Sequence, residues 1–144
     1  MKQKLLLTFA LLLMAVSGAW ADVTPQGEDE WDGGTNTLTL KSDPGNYYSN
    51  NTDIVNLVIE DGVTTIGDGA FQGCTSLMAV VIPDNVTNIG NSAFRDCTSL
   101  ATVEIGSGVK TIGNGAFLGC TSLTTVDIPH GVTSIGDDAF SSCI

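Results

Sequence analysis

A repeat of fixed short period constrains this chain more than any other feature. Phe71, Phe94, Phe117 and Phe140 recur at one constant interval, and so do Cys74, Cys97, Cys120 and Cys143. Ile66, Ile89, Ile112 and Ile135 keep the same register, as do Gly67, Gly90, Gly113 and Gly136. Units that repeat at a fixed short period present the same faces to their neighbours, so they stack into a solenoid. One unit carries too few apolar residues to offset the entropy of ordering its own backbone. The core must therefore form between units. From Thr52 the chain divides into units 52–74, 75–97, 98–120 and 121–143.

Within the second unit, the spacing of two between Val80 and Ile82 places both on one face of a short strand. Val81, with Glu104 and Asp127 at the same position in later units, points to the other face. Pro83, Gly106 and Pro129 end the strand, because proline cannot donate to a ladder. Gly62, Asn85, Gly108 and Gly131 share the next turning position, where residues that tolerate positive φ are predicted. Val86 and Ile89 continue the inward set. Asp68, Asn91, Asn114 and Asp137 then precede Ala-Phe and read as N-caps of a single helical turn, with Ala93 and Phe94 on its apolar side.

The ends of the chain read differently. Lys2 and Lys4 precede an apolar run from Leu5 to Val16, and Ala19-Trp20-Ala21 supplies small residues at a cleavage site. Residues 1–21 are therefore a signal peptide, with cleavage expected after Ala21. The apolar run is too short to span a bilayer, and no membrane insertion is expected. Residues 22–51 divide into an acidic leader, Asp22–Asp32, and an N-terminal cap over 31–51. In the cap, Thr35–Lys41 alternates polar and apolar residues between Gly33-Gly34 and Pro44-Gly45, which predicts a half-buried strand. Trp31, Tyr47 and Tyr48 flank it and would cover the end of the apolar stack. An aromatic ligand platform is the alternative reading of the same three residues.

Charge excludes some partners. The chain carries a formal net charge of −11, and removal of Lys2 and Lys4 leaves three basic residues against 16 acidic ones, or −13. Such a surface repels phosphate backbones and anionic membranes, so nucleic-acid binding is not expected. Glu60, Asp61, Asp84, Glu104 and Asp127 gather near the strand ends. They read as solvated charge or as a loose acidic patch for cations or a basic protein.

The cysteines occupy one inward position, three places after each Phe, and pack there as small apolar groups. Stacked neighbours lie ~4.8 Å apart on the strand side. The disulfide window of ~4.4–6.8 Å keeps pairing open in an exported chain. Zinc is poorly supported, since no Cys-x-x-Cys spacing occurs and His130 is the single imidazole. His130 has no nucleophile motif beside it, so neither an enzyme nor a cofactor is expected. Asn50-Asn51-Thr52 and Asn85-Val86-Thr87 fit a glycosylation sequon, of consequence only in a eukaryotic secretory pathway.

The pattern Leu-x-x-Val-x-Ile-Pro-x-x-Val-Thr-x-Ile-Gly-x-x-Ala-Phe-x-x-Cys resembles the BspA-like class of leucine-rich repeats over residues 52–143. That resemblance implies an α/β, right-handed leucine-rich-repeat solenoid over 52–144. Parallel short strands would line one face and single helical or 3-10 turns the other, behind an N-terminal β cap. It also implies a secreted or cell-surface bacterial protein that is not catalytic and that acts in adhesion. Fibronectin and fibrinogen are partners of longer family members. Here the expected partners are extracellular host or bacterial surface proteins. The face expected to bind them comprises Asn56, Val58, Glu60, Ala79, Val81, Thr102, Glu104, Thr125 and Asp127. The alternative is a structural or self-associating solenoid fragment with no ligand of its own. The pattern stops at Cys143-Ile144, where a further Thr-Ser-Leu would begin.

Overall fold

The computed structural model describes residues 27–143. The expected signal peptide and the start of the leader lie outside the described residues. Two ladders of short strands run along the stack. The first has the order β1 (Glu30–Asp32), β2 (Thr37–Leu40), β3 (Asn56–Ile59), β5 (Ala79–Ile82) and β7 (Thr102–Ile105). The second has the order β4 (Thr65–Ile66), β6 (Asn88–Ile89), β8 (Thr111–Ile112) and β9 (Ser134–Ile135). All pairings are parallel except β1 with β2, as stacked coils require.

The repeated residues form columns in the core. In the second unit Leu77, Val80, Ile82, Val86, Ile89, Ala93, Phe94 and Cys97 are each at most 1 % exposed. The Phe column is a stack of nearly parallel rings, with centroids 5.4, 5.3 and 5.3 Å apart from Phe71 through to Phe140. Offset stacking of this kind suits the negative faces and positive edges of aromatic rings.

The arc carrying that column departs from the helical turn that the Asx-x-Ala-Phe pattern suggests. No helix occurs among the described residues, so the fold is strands and turns rather than α/β. The N–H groups of Gly69, Phe71 and Gly73 donate to the carbonyls of Asn91, Ala93 and Arg95 in the next coil, at 2.8, 2.8 and 2.7 Å. Those of Ala70, Gln72 and Cys74 donate three places back within the coil. A helix would keep every such bond inside one segment. Aiming alternate donors outward requires left-handed residues, and they recur at two positions per coil. Gly69, Ser92, Gly115 and Asp138 occupy the first, at φ +65°, +54°, +58° and +56°. Gly73, Asp96, Gly119 and Ser142 occupy the second, at +73°, +58°, +76° and +60°.

The supposed N-caps work between coils too. Asp68 Oδ1 accepts from the N–H of Asn91 at 2.7 Å, Asn91 Oδ1 from Asn114 at 2.8 Å, and Asn114 Oδ1 from Asp137 at 2.8 Å. Gly62, Asn85, Gly108 and Gly131 are not at positive φ, contrary to the sequence-based expectation. Close approach constrains Gly62 and Gly108 instead. A Cβ on Gly108 would lie 1.7 Å from the carbonyl oxygen of Asp84, and one on Gly62 would lie 2.6 Å from that of Lys41.

At the N-terminal side, the stack extends one shortened coil upstream of Thr52. Leu40 pairs with Ile59, while Tyr48 stacks on Phe71 with centroids 5.7 Å apart and so continues the Phe column. Tyr48 is 1 % exposed and Trp31 packs against the core, but Tyr47 is 63 % exposed and covers nothing. Glu30–Asp32, where the expected leader and cap meet, forms β1 against β2. Beside it the buried Asp29 accepts hydrogen bonds from the N–H of Lys41 and from the hydroxyl of Tyr48.

At the C-terminal side, the first ladder stops at β7. Residues 123–129 form no strand, although β9 pairs with β8 and Phe140 stacks on Phe117. At the position that Ile82 holds in the second unit, where it is 1 % exposed, Ile128 is 37 % exposed. Amides of 124–128 should exchange with solvent at nearly unprotected rates, while those of Val80 and Ile82 exchange through global opening. Hydrogen-exchange mass spectrometry checks this, and equal protection of the two segments would refute it.

Candidate functional site: the outer face of the strand ladder

Outward side chains of the first ladder form two rows. Thr37, Asn56, Ala79 and Thr102 align in the first. Thr39, Val58, Val81 and Glu104 follow two places on, as the pleat requires. The expected residues Asn56, Val58, Glu60, Ala79, Val81, Thr102 and Glu104 are all exposed on or at the end of these strands. Thr125 and Asp127 are exposed as well, but they lie on the unpaired segment and extend neither row.

The centre of the face is apolar and its far edge acidic. Val58 is 47 % exposed, Val81 55 % and Met78, just before β5, 58 %. Glu60, Asp61 and Asp84 stand beyond the strand ends, all three exposed. The N–H and Oγ of Ser107 both donate to Asp84 Oδ1, at 2.7 and 3.0 Å. Asp61, Val81, Asp84, Asn85, Glu104 and Ser107 line a shallow, open cleft at this edge. The sequence showed the carboxylates without showing the concavity, which arises only when Asp61 and Asp84 stack on successive coils. His130 is exposed, one position beyond the end of the unpaired segment.

The lysine and arginine side chains among the described residues leave this edge acidic. Lys41 Nζ lies 2.6 Å from Glu30 Oε1, and the pair holds its ammonium above the usual lysine range. Arg95, on the turn arc, lies 3.3 Å from Asp96 Oδ2. The Lys110 amine lies beside Gly131 in the last coil. No three His, Cys, Asp or Glu side chains converge in a metal-binding arrangement among the described residues.

The cysteines serve the core. Each thiol donates to a carbonyl one coil earlier: Cys74 to Tyr48 at 3.1 Å, Cys97 to Phe71 at 3.2 Å, Cys120 to Phe94 at 3.1 Å and Cys143 to Phe117 at 3.3 Å. All four are free thiols, the first three buried. Burial pushes Cys74 and Cys120 up to about 12 and raises Cys97 and Cys143 as well. Since the thiolate is the reactive form, a thiol reagent at pH 8 should label the half-buried Cys143 first in the native protein and all four after denaturation. Rapid native labelling of Cys97 would contradict the buried ladder. The pH dependence has a definite sign. Folded-state thiols titrate above unfolded ones, so their contribution is complete below about pH 8.5 and is lost as pH rises toward 12.

Parallel strands on a fixed period, an apolar column per repeat position and inter-coil side-chain ladders define a leucine-rich repeat solenoid. The BspA type leucine rich repeat region matches residues 44–144 in six copies, and the chain belongs to that family. The match begins within the shortened coil, at Pro44. A solved leucine rich repeat protein of T. pallidum is 24 % identical and superposes with a TM-score of 0.70, covering 83 % of this chain and 67 % of its own. A leucine rich cell surface protein of Faecalibacterium prausnitzii is 33 % identical with a TM-score of 0.58, covering 80 % of this chain. A leucine-rich repeat protein of Bacteroides ovatus is 26 % identical with a TM-score of 0.59, covering 86 % of this chain. This chain spans 29 % and 33 % of the length of the last two. No functionally curated protein matches it. No helix among the described residues is long and apolar enough to cross a membrane.

Proposed function

We propose that the protein is a secreted or cell-surface, non-catalytic module that binds other proteins through the outer face of its strand ladder. One observation carries this reading. The inward columns repeat and are consumed by the core, whereas the outward rows vary and expose Val58 and Val81 at 47 % and 55 %. Family membership supports a repeat scaffold, and the description of the F. prausnitzii neighbour as a cell surface protein supports the location. The Lys2–Ala21 pattern supports export.

Five strands ~4.8 Å apart make a face about 20 Å wide. Short strands limit its area to a few hundred Å², below the ~800 Å² per partner of a standard interface. A single copy therefore binds weakly, and adhesion depends on many copies side by side. Beads bearing dense copies of the protein should retain fibronectin or fibrinogen, extracellular host proteins of the kind proposed. Absence of retention of either on such beads would sink the adhesive reading.

A second reading is self-association through the last described coil, where Ile128 and Ile135 are 37 % and 48 % exposed and, among the described residues, β7 has no outer partner. Light scattering across a concentration series tests it, and a monomer at every concentration counts against it. The N-terminal end is protected in our reading: β1, Asp29 and Tyr48 form the cap that ends the ladder on that side. Asp29→Ala removes the acceptor of the Lys41 N–H and the Tyr48 hydroxyl. It should lower stability by about 1–3 kcal/mol in a chemical melt.

A further inference from the structure

Resting on that reading of the face, we propose that the preferred partner is a basic, extended protein segment in which Lys or Arg stands two places from an apolar residue. The face offers two kinds of contact in adjoining strips. Val58, Ala79 and Val81 form the apolar strip, with Met78 beside it. Glu60, Asp61 and Asp84 form the acidic strip beyond the strand ends, and Glu104 adjoins it from the row of Val81. An extended segment projects side chains two places apart to the same face, so apolar side chains lying on the valines would be followed, two places on, by cations over the carboxylates.

Charge selects this occupant over others. Lys41, the cation at the edge of the face, is held by Glu30, and Arg95 is held by Asp96 on the turn arc. The formal net charge of −11 repels acidic partners from a distance and speeds the approach of basic ones. The cleft between Asp61 and Glu104 gives the acidic strip a concave floor, and its Val81 and Ile105 lining joins it to the apolar strip.

The test uses the whole protein displayed at high density and two soluble peptides, a Lys-Val peptide repeating Val-Ser-Lys-Ser and a Glu-Val peptide repeating Val-Ser-Glu-Ser, so that Val and the charge share one face. The Lys-Val peptide should be retained and the Glu-Val peptide should not. Retention should fall as salt shortens the Debye length from about 10 Å at 0.1 M to about 3 Å at 1 M. The double variant Glu60→Gln, Glu104→Gln, whose fold is verified by circular dichroism, should bind the Lys-Val peptide about tenfold more weakly. Equal retention of both peptides, or an undiminished Lys-Val signal in the double variant, overturns the proposal. If neither peptide is retained while fibronectin or fibrinogen still is, the charge preference falls and the docking role of the face stands. If nothing is retained, both fall.

Discussion

Phe94→Ala destabilises the protein by about 3–5 kcal/mol, the range for removing a buried aromatic ring. Phe94 is fully buried and stacks on Phe71 at 5.4 Å and Phe117 at 5.3 Å, so its loss opens a gap in mid-column. Nothing from the sides can fill it, because Ala93 and Cys97 are anchored to the same coil. Phe140→Ala provides the comparison. Phe140 is half-buried and has one ring neighbour, so the same truncation should cost less than half as much. Thermal melts of the two variants separate these outcomes, with Phe94→Ala lowering Tm by more than about 10 °C. Equal shifts would show that the column is not the continuous support described here.

Gly108→Ala is the second large effect, and it concerns backbone rather than core. A methyl group at Gly108 would meet the Asp84 carbonyl oxygen at 1.7 Å. Backbone cannot rotate away as a side chain can, so two coils must separate locally. The cost should reach about 3 kcal/mol, the upper end for overpacking. One coil earlier the same position holds Asn85, whose amide donates to the carbonyls of Asp61 and Val63. That column accepts a side chain only where the side chain itself bridges the coils. Gly69→Ala is a useful contrast: Gly69 has φ +65° and its nearest neighbour to a new Cβ lies at 3.5 Å. Ser92 and Asp138 occupy the same column at +54° and +56°, so Gly69→Ala should cost only about 1–2 kcal/mol. A chemical denaturation series ranks the two, and Gly69→Ala more damaging than Gly108→Ala would contradict this account.

The columns were legible from spacing alone, because a core built between identical units forces the same residue into the same slot. Tyr48 stands one full period before Phe71, but its place in the column is masked in the sequence. The strand of its shortened coil pairs at a smaller offset, Leu40 with Ile59, so no single register spans the coil. The turn arc differs from the helical expectation for a chemical reason. Asp or Asn before Ala-Phe suits a helix N-cap, yet the same short polar side chain can satisfy an N–H on the next coil. The discriminating signal was the alternation of Gly with Ser or Asp at 69, 92, 115 and 138, residues that tolerate left-handed backbone. Failure of the fourth strand was not legible, because Thr-Thr-Val-Asp-Ile-Pro is as suited to a strand as its equivalents. Nothing in its own residues marks why it stays unpaired beside β7 while β9 of the same coil pairs with β8.

These columns also divide the molecule by task. Residues that repeat hold the coils together, and residues that vary on the outer ladder are free to meet a partner. Val81→Arg tests that division directly, since Val81 lies at mid-face, 55 % exposed and aligned with Glu104. The measurement is paired: Tm of the variant, and retention of fibronectin and fibrinogen on densely coated beads. Stability should change by no more than about 0.5 kcal/mol, as for an exposed site, while retention falls about tenfold or more. Unchanged retention in a folded Val81→Arg protein would contradict the assignment of binding to this face.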